Sequence, residues 1–358
     1  MVGAGNSRIR CKECGASCDL GRAAAMVNYN PQTEPLQAVP PDMVPQRTTT
    51  LVDADGVPKA QWVRAGVDDK LRESRIKAWA DGMRDDLPQM KPVPVPRGTS
   101  PDLLNFFCVT DYHLGMLSWG EETGADWDLQ IAEETLLRWF EMAIEQAPKA
   151  KRAVFAQMGD FLHIDSLEAM TPLHKNLLDV DTRFAKIVRV AIRLVRRVID
   201  MLLAKHEQVH VIMAEGNHDP ASSVWLREWL AHLYADEPRL TVDLSPDPYY
   251  CVEHGKTSLF IHHGHKRKPH NIDDVFVAKF RAVFGRTEHS YAHMGHLHHV
   301  DAKETSLMIV EQHRTLAAPD AYASRGGWMS GRDAKIITYS AKYGECGRTI
   351  ISFAQVQS

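Results

Sequence analysis

From residue 103 onward, short apolar runs alternate with longer amphipathic stretches along the chain. The pattern contains five prominent apolar runs, at residues 103–109, 153–158, 209–214, 258–261 and 290–294. An apolar run without polar alternation is typical of a strand that is buried on both faces of a sheet. Helices are predicted over residues 128–146 and 182–206. Further strands are predicted at 240–242, 307–310, 335–340 and 349–354, which completes an α/β fold.

The first 97 residues follow a different pattern. Residues 1–50 show little periodicity, whereas residues 47–64 alternate around an Asp-Gly turn signal and predict a hairpin. Residues 68–84 have the loose apolar face of a helix. Three prolines then mark a stiff linker: Pro92, Pro94 and Pro96. We therefore place a domain boundary after residue 97, between a small N-terminal extension (1–97) and the α/β domain (98–358).

The cysteines indicate a reducing compartment. Six cysteines in 358 residues are too few for a disulfide scaffold. Cys11 and Cys14 have the spacing of half a zinc site, but a structural zinc needs four ligands and Cys18 supplies only a third. We expect reduced thiols in a mobile N-terminal tail and a cytoplasmic protein.

Composition also limits the partners. No apolar run reaches the roughly 18 residues of a membrane helix, and the polar stretch from Met1 to Asp19 does not resemble a secretory signal. The formal net charge is −4, so the chain has no global positive field for nucleic acid. Any contact with nucleic acid would have to use a local patch.

Metal-capable side chains follow five of the predicted strands. In α/β sheets the carboxyl ends of the strands line the crevice where ligands bind. Polar groups buried there are costly unless they are paired or coordinated. The set contains His, Asp and Asn but no Cys, which favours Mn²⁺, Fe²⁺, Zn²⁺ or Mg²⁺. It is too large for one tetrahedral ion, whereas two ions that share a carboxylate would use all of it.

The residues at these strand ends form five blocks. In chain order they are Asp111-x-His113, Gly159-Asp160, Gly216-Asn217-His218-Asp219, His263-Gly264 and Gly295-His296-x-His298. This order resembles the calcineurin-like metallophosphoesterase superfamily. The resemblance implies a four-layer α/β/β/α sandwich, two divalent ions with Mn²⁺ as the first expectation, and attack on a phosphodiester by a metal-bridging hydroxide.

The resemblance also implies individual roles. One ion would be bound by Asp111, His113, Asp160 and His298. The other would be bound by Asp160, Asn217, His263 and His296, so that Asp160 bridges the two. His218 would stabilise the transition state or protonate the leaving oxygen, and Asp219 would orient it. Because the members of each Asp/His or His/His pair are two residues apart, an extended backbone would point both side chains the same way.

Two blocks resemble a narrower group. GDFLH at residues 159–163 and TDYHLG at residues 110–115 are similar to motifs of SbcD-type DNA-repair exonucleases and of phage or prophage relatives. This resemblance implies that His163 is a second catalytic histidine that positions the scissile phosphate. The chain ends about 60 residues after His298, so we expect a stand-alone nuclease without the capping domain of that group.

Local basic residues are candidate contacts for DNA. Lys266, Arg267 and Lys268 follow His265, next to a ligand block, and Arg325 begins an Arg-Gly-Gly-Trp segment that is either a flexible contact or an ordinary turn. The leading hypothesis is a DNA nuclease or exonuclease. A small-molecule phosphodiesterase or nucleotide pyrophosphatase, and a non-catalytic metal-stabilised binding protein, remain alternatives. The sequence leaves open the native metal, the cleavage polarity and the oligomeric state.

Overall fold

The structure is a computed structural model that describes residues 8–10, 17–19, 43–52, 58–67 and 93–358. The chain divides into two compact units, residues 1–88 and 89–358. In the first unit, β1 (Arg8–Arg10) pairs antiparallel with β2 (Ser17–Asp19), and β3 (Met43–Val52) pairs antiparallel with β4 (Pro58–Val67). These last two strands confirm the predicted hairpin. Its turn, the predicted helix at 68–84, Cys11 and Cys14 lie outside the described residues.

The second unit contains eleven strands and eight helices among its described residues. The strands are β5 (Ser100–Val109), β6 (Ala150–Gln157), β7 (Gln208–Met213), β8 (Leu240–Val242), β9 (Tyr250–His254), β10 (Thr257–His262), β11 (His289–Met294), β12 (Asp301–Glu304), β13 (Ile309–Gln312), β14 (Asp333–Ser340) and β15 (Gly344–Ser352). The helices are α1 (Gly120–Thr123), α2 (Leu129–Gln146), α3 (Phe184–Lys205), α4 (Pro220–Leu233), α5 (Asp273–Lys279), α6 (Arg281–Phe284), α7 (Ala321–Gly326) and α8 (Phe353–Gln357).

The strands form two mixed sheets. In the six-stranded sheet the order is β15-β14-β5-β6-β7-β8, and β5 to β8 run parallel. In the five-stranded sheet the order is β12-β13-β11-β10-β9, with β10, β11 and β13 parallel. All five predicted apolar runs are among these parallel strands. The short outer strands β9 and β12 were not predicted.

The apolar runs are buried on both faces, as their pattern predicts. Phe106 faces the space between the sheets, where it packs in one cluster with Leu259 and Tyr339. The next residue, Phe107, points the other way and stacks on Phe140 of α2, with ring centroids 5.8 Å apart. Phe260 of β10 likewise stacks on Phe276 of α5, at 5.1 Å. Helices therefore cover the outer face of each sheet, and the fold is a four-layer α/β/β/α sandwich.

The long helices follow from local sequence. Asp128 is the N-cap of α2, because its side chain accepts a hydrogen bond from the Ile131 N–H at 2.7 Å. The apolar residues of α3 recur at helical spacing and are buried, among them Ile187, Val195 and Leu202. None of the helices in the described part of the chain is long and apolar enough to span a bilayer.

Candidate metal centre

The predicted ligands lie in loops with an unusual backbone. Six described residues other than glycine have a positive φ, and five of them are predicted ligands. These five are Asp111 (49°), His113 (47°), Asp160 (53°), His296 (77°) and His298 (55°). A left-handed conformation costs such residues roughly 1–2 kcal/mol each. Contacts with the surrounding structure must therefore hold these loops in their strained conformation, as is typical of functional sites.

The loops hold each other in place through backbone hydrogen bonds. The Asp111 N–H donates to the Gly159 carbonyl and the His113 N–H donates to the Asp160 carbonyl, each at 3.0 Å. The expectation that each ligand pair sits on extended backbone is wrong. Their side chains converge because both members of a pair adopt left-handed turns, which strand alternation could not predict.

Two glycines allow close approach of neighbouring loops. A Cβ atom at Gly216 would overlap Oδ1 and the backbone nitrogen of Asp160. A Cβ at Gly295 would overlap Oγ1 of Thr110 and would lie 2.5 Å from Oδ2 of Asp111. These glycines precede the ligands Asn217 and His296, so the missing side chains let those ligands reach the centre.

One group of ligand atoms contains Asp111, His113 and His298, whose atoms lie within 4.8 Å of one another. His298 Nε2 is 3.1 Å from Asp111 Oδ1 and 3.3 Å from His113 Nε2. The other carboxylate oxygen of Asp111 accepts hydrogen bonds from Thr110 Oγ1 at 2.6 Å and the His296 N–H at 2.8 Å. Oδ1 is thereby directed at the histidines.

A second group contains Asp111, Asp160, His263 and His296. His263 Nε2 is 3.1 Å from Asp160 Oδ2 and 3.1 Å from the side-chain oxygen of Asn217. Its other ring nitrogen, Nδ1, donates to the Met158 carbonyl at 2.9 Å. That hydrogen bond fixes the tautomer and leaves Nε2 free to bind an ion. All seven predicted ligands therefore meet at one edge of the sandwich.

The carboxylate that the two groups share is Asp111, whereas the resemblance implied Asp160. Asp111 Oδ1 lies 3.1 Å from His298 Nε2 and 3.9 Å from His263 Nε2. Asp160 uses its Oδ1 to accept the His218 N–H at 2.8 Å, and only its Oδ2 faces His263. The bridging role of Asp160 stays a prediction.

Histidine charges balance the buried carboxylates. Burial raises the pKa of Asp111, but the charges on His298 and His263 outweigh it and hold that pKa well below its usual range. For His263, burial lowers the pKa, yet the carboxylates of Asp160 and Asp111 raise it to about 10. A divalent cation would take the place of these protons, because bound ligands must be deprotonated.

The donor set fits such cations. Asp111 Oδ1 is buried and accepts no well-formed hydrogen bond. Among the described residues, only the ring nitrogens of His298 and His263 face it, at 3.1 Å and 3.9 Å, so its charge is balanced only while those rings carry protons or an ion is bound. The ring nitrogens of His113 and His298, 3.3 Å apart, repel through their lone pairs unless a proton or a cation lies between them. Carboxylate, amide and imidazole donors suit Mn²⁺, Fe²⁺, Zn²⁺ or Mg²⁺.

His218 stands beside this group with one ring nitrogen fixed. Its Nδ1 donates to the His163 carbonyl at 2.9 Å, so Nε2 is left for a substrate. The His218 ring lies 4.7 Å from the His113 ring, and its side chain is only half-buried. His218 can therefore hold or release a proton at Nε2 next to the ligands.

Asp219 does not orient His218, which corrects the sequence prediction. Its two oxygens accept the backbone N–H groups of Asp160 at 3.2 Å and Leu162 at 3.0 Å. Burial and the neighbouring charge of Asp160 raise the pKa of Asp219 to about 8. Asp219 thus stabilises the loop that carries Asp160, and the His163 carbonyl orients His218.

His163 is more buried than its predicted role suggests. Its side chain is 1% exposed, and its Nδ1 lies 3.2 Å from Nδ1 of His113. Burial lowers the pKa of His163 to about 3, so the ring is neutral at pH 7. A neutral ring in this place can fix the tautomer of His113.

The predicted substrate contacts differ among themselves. Lys266, Arg267 and Lys268 are exposed in the loop after β10, and Lys266 is close enough for its charge to contribute to the lowered pKa of His265. Arg325 lies in α7, and Gly327 ends that helix in the left-handed conformation. The Arg325 guanidinium donates to Glu122 at 2.7 Å, which reduces its availability for a phosphate.

Sequence reasoning missed Thr315, which contacts the loop of Asp111. Its hydroxyl donates to the Asp111 carbonyl at 2.6 Å across 204 residues of chain. No local signal marks a lone threonine after a strand. Thr110, in contrast, could have been found, because it directly precedes Asp111 and donates to its carboxylate.

A family model described as calcineurin-like phosphoesterase matches residues 104–339. The chain belongs to this family. All seven predicted ligands of this calcineurin-like phosphoesterase fall inside the matched residues, and the first unit falls outside them. The family consists of metal-dependent phosphoesterases, in agreement with the His/Asp groups described above.

Solved structures with a similar fold include three phosphoesterase-related proteins. A conserved uncharacterized protein from Streptococcus pneumoniae TIGR4 shares 10% identity over 71% of this chain and 99% of its own, with a TM-score of 0.31. An archaeal phosphodiesterase shares 13% identity over 69% of this chain and 99% of its own, with a TM-score of 0.36. Phosphopantetheinyl hydrolase from Mycobacterium tuberculosis shares 11% identity over 64% of this chain and 94% of its own, with a TM-score of 0.28. No curated protein matches the chain by sequence.

Proposed function

We propose that this calcineurin-like phosphoesterase is a two-metal phosphodiesterase whose substrate is DNA, similar to the SbcD-type exonucleases. The observation that carries the hydrolytic part is the pair of ligand groups that share Asp111. Two divalent ions held by these groups would supply Lewis-acid activation of water and would neutralise charge on the phosphoryl oxygens. Mn²⁺ is our first choice for both.

The ligands would be held as two sets around Asp111 and Asp160. His113 and His298 belong with Asp111, and His263, His296 and Asn217 belong with Asp160. The left-handed loops fix these directions before a substrate arrives. Such preorganisation lowers the cost of binding a transition state, because few groups have to move.

His218 would act on the substrate oxygens. With Nδ1 donating to the His163 carbonyl, Nε2 can carry a second proton and donate it to a phosphoryl or leaving oxygen. Asp160 Oδ1 holds the His218 backbone N–H at 2.8 Å, so the ring is tied to the ligand loop. His163 and Asp219 are positioning residues in this scheme.

Two observations support DNA as the substrate: the solvent exposure of the first ligand group and the positive charge of a neighbouring loop. The side chain of His298 is 33% exposed, so the first ligand group is open to solvent on that side. Lys266, Arg267 and Lys268 add three exposed positive charges in the loop that starts at the ligand His263. An extended polyanion can use both features, whereas a small phosphodiester needs only the first.

A substrate panel tests the proposal. Single-stranded DNA, double-stranded DNA, a cyclic dinucleotide and an aryl phosphodiester are each incubated with the full chain and Mn²⁺. We expect hydrolysis of the aryl ester and faster hydrolysis of DNA, both lost after chelation. Rapid turnover of the cyclic dinucleotide with intact DNA would instead favour a small-molecule phosphodiesterase. Absence of all four activities would contradict the proposal.

A further inference from the structure

The charged residues of the two strands β3 and β4 are all basic, although the whole chain is acidic. Neither strand contains an aspartate or glutamate, and together they contain Arg47, Lys59 and Arg64. The whole chain has a formal net charge of −4. The positive charges therefore lie on the strands themselves, whereas the residues that join the strands include Asp53 and Asp55.

One face of this hairpin presents two arginines and two large apolar side chains to solvent. Arg47 pairs with Arg64, and Thr49 pairs with Trp62, in the antiparallel register. Directly paired residues project to the same face of a sheet. Trp62 is 62% exposed, and Arg47 and Arg64 are also exposed, whereas residues 48, 50, 61 and 63, which alternate with them, are half-buried.

The arginine pair is unfavourable without an anion. Like charges directly opposite each other in a sheet are destabilising, because their Cβ atoms lie only about 4.5–5.5 Å apart. No carboxylate among the described residues forms an ion pair with Arg47 or Arg64. An anion between the two guanidinium groups would remove this repulsion and add charge-assisted hydrogen bonds.

We propose that this face, defined by Arg47, Thr49, Trp62 and Arg64, binds a single-stranded nucleic acid. A phosphate would sit between the arginines, and a base would stack on the indole ring of Trp62, which belongs to the adjacent cross-strand pair. Cations along the backbone and aromatic rings under the bases are the two elements of single-strand recognition. The proposal rests on the phosphodiesterase function above for its biological sense.

Other anionic partners fit the face less well. An acidic peptide would pair with the arginines but leaves the exposed indole without a planar partner. A lipid surface needs a broader apolar area, and among residues 47–51 and 60–64, whose side chains the structure describes, the exposed large apolar ones are Leu51 and Trp62. A single strand uses both the charge and the ring.

The test measures binding and hydrolysis separately. Fluorescence anisotropy follows a labelled single strand of about 16 nucleotides with the full chain, in an Asp160→Ala background so that the strand stays intact. Arg47→Glu with Arg64→Glu should weaken the Kd at least about tenfold and flatten its salt dependence. Trp62→Ala should weaken it about tenfold without changing the salt slope.

Matched controls use exposed residues of the other unit. Arg138→Glu with Arg281→Glu changes the net charge equally, and Tyr343→Ala removes an exposed ring. Circular dichroism checks that every variant is folded. The proposal is overturned if the hairpin variants match these controls, if duplex DNA binds the hairpin as tightly as single strands, or if only anionic vesicles respond to the substitutions.

Aryl phosphodiester hydrolysis, measured with Asp160 intact, separates the two proposals. If the hairpin variants no longer bind the single strand but hydrolyse the aryl ester at the normal rate, both proposals are supported. A chain that binds the strand through the hairpin and hydrolyses no phosphodiester would contradict the proposed function and leave the binding face standing.

Discussion

Two regions of the sandwich contain the same kinds of side chain and differ in how their charges are balanced. The ligand edge holds Asp111, Asp160 and their histidines. The buried cluster, formed by His293, Glu311 and His313, also places imidazole nitrogens and a carboxylate within 4.8 Å of one another. Composition alone would assign a metal ion to either.

In the buried cluster every charge already has a protein partner. Glu311 accepts hydrogen bonds from Lys335 at 2.5 Å and from both terminal nitrogens of Arg348 at 2.9 Å. His293 contacts His313 at 2.9 Å and the Tyr339 hydroxyl at 2.8 Å. A divalent cation there would face two permanent positive charges.

At the ligand edge the charged partners of the carboxylates, among the described residues, are all histidines. No lysine or arginine among the described residues forms an ion pair with Asp111 or Asp160. A proton on a histidine can leave when a metal arrives, whereas an arginine cannot be deprotonated. The difference teaches that a metal site is marked by carboxylates whose counter-charges are removable.

The largest effect should come from removing a carboxylate at the ligand edge. Asp160→Ala should abolish hydrolysis of an aryl phosphodiester in Mn²⁺ and lower the number of bound metals, because His263 loses its partner at 3.1 Å. The control is Glu311→Gln in the buried cluster, which should keep both metals. Equal metal loss in the two variants would break the comparison. Retained activity in Asp160→Ala would remove its bridging role.

The second effect separates proton transfer from metal binding within the ligand edge. His218→Ala should leave two metals bound and lower kcat about a hundredfold, the usual contribution of a general acid. Metal content by elemental analysis and turnover of the aryl ester are measured together. A fall in metal content that matches the fall in rate would make His218 a ligand.

The sequence predicted the ligand edge because its signal is local. Each ligand block directly follows an apolar run, and parallel strands in one sheet bring their ends together. The same reasoning predicted the strands at the centre of both sheets, where burial on both faces leaves an uninterrupted apolar run. It missed β9 and β12, which are short and lie at the outer edges of the second sheet.

What the sequence could not predict depends on contacts between distant segments. Asp219 looked like a partner of His218 because the two are adjacent, yet its carboxylate accepts N–H groups 57 and 59 residues away. The left-handed ligands result from hydrogen bonds between loops, as with Asp111 and Gly159. The buried cluster showed no motif at all, because its members come from two strands, β11 and β13, and from the residue after β13.

The third prediction uses the buried cluster itself. Glu311→Gln should lower the free energy of unfolding by about 3 kcal/mol at pH 7, since it leaves Lys335 buried without its carboxylate. Metal content and kcat should be unchanged at a temperature where the variant is folded. Loss of metals at normal stability would show that Glu311 is a ligand and not a partner of Lys335.

The loss of stability caused by Glu311→Gln should become smaller as the pH falls. Burial raises the pKa of Glu311, but its positive neighbours, including Arg348 and Lys335, outweigh it and hold the pKa well below its usual range. A carboxylate with a lowered folded-state pKa stabilises the fold above its ordinary pKa of about 4.3, and that contribution disappears as the pH falls below it. The gap in Tm between the chain and Glu311→Gln should therefore narrow from pH 6 to about pH 3. A constant gap would contradict the ion-pair explanation.

The smallest effect concerns three exposed cations that belong to neither the ligand edge nor the buried cluster. Reversal of Lys266, Arg267 and Lys268 to glutamate should slow DNA cleavage roughly fivefold and leave aryl-ester hydrolysis close to normal, because only the polyanion reaches beyond the ligand edge. The control reverses three exposed cations elsewhere, Arg138, Lys149 and Arg281, with the same change in net charge. If both triple variants slow DNA cleavage equally, the effect is a general one of net charge. If the Lys266 variant slows both substrates equally, those cations act on the ligand edge itself, and a small phosphodiester becomes the better substrate.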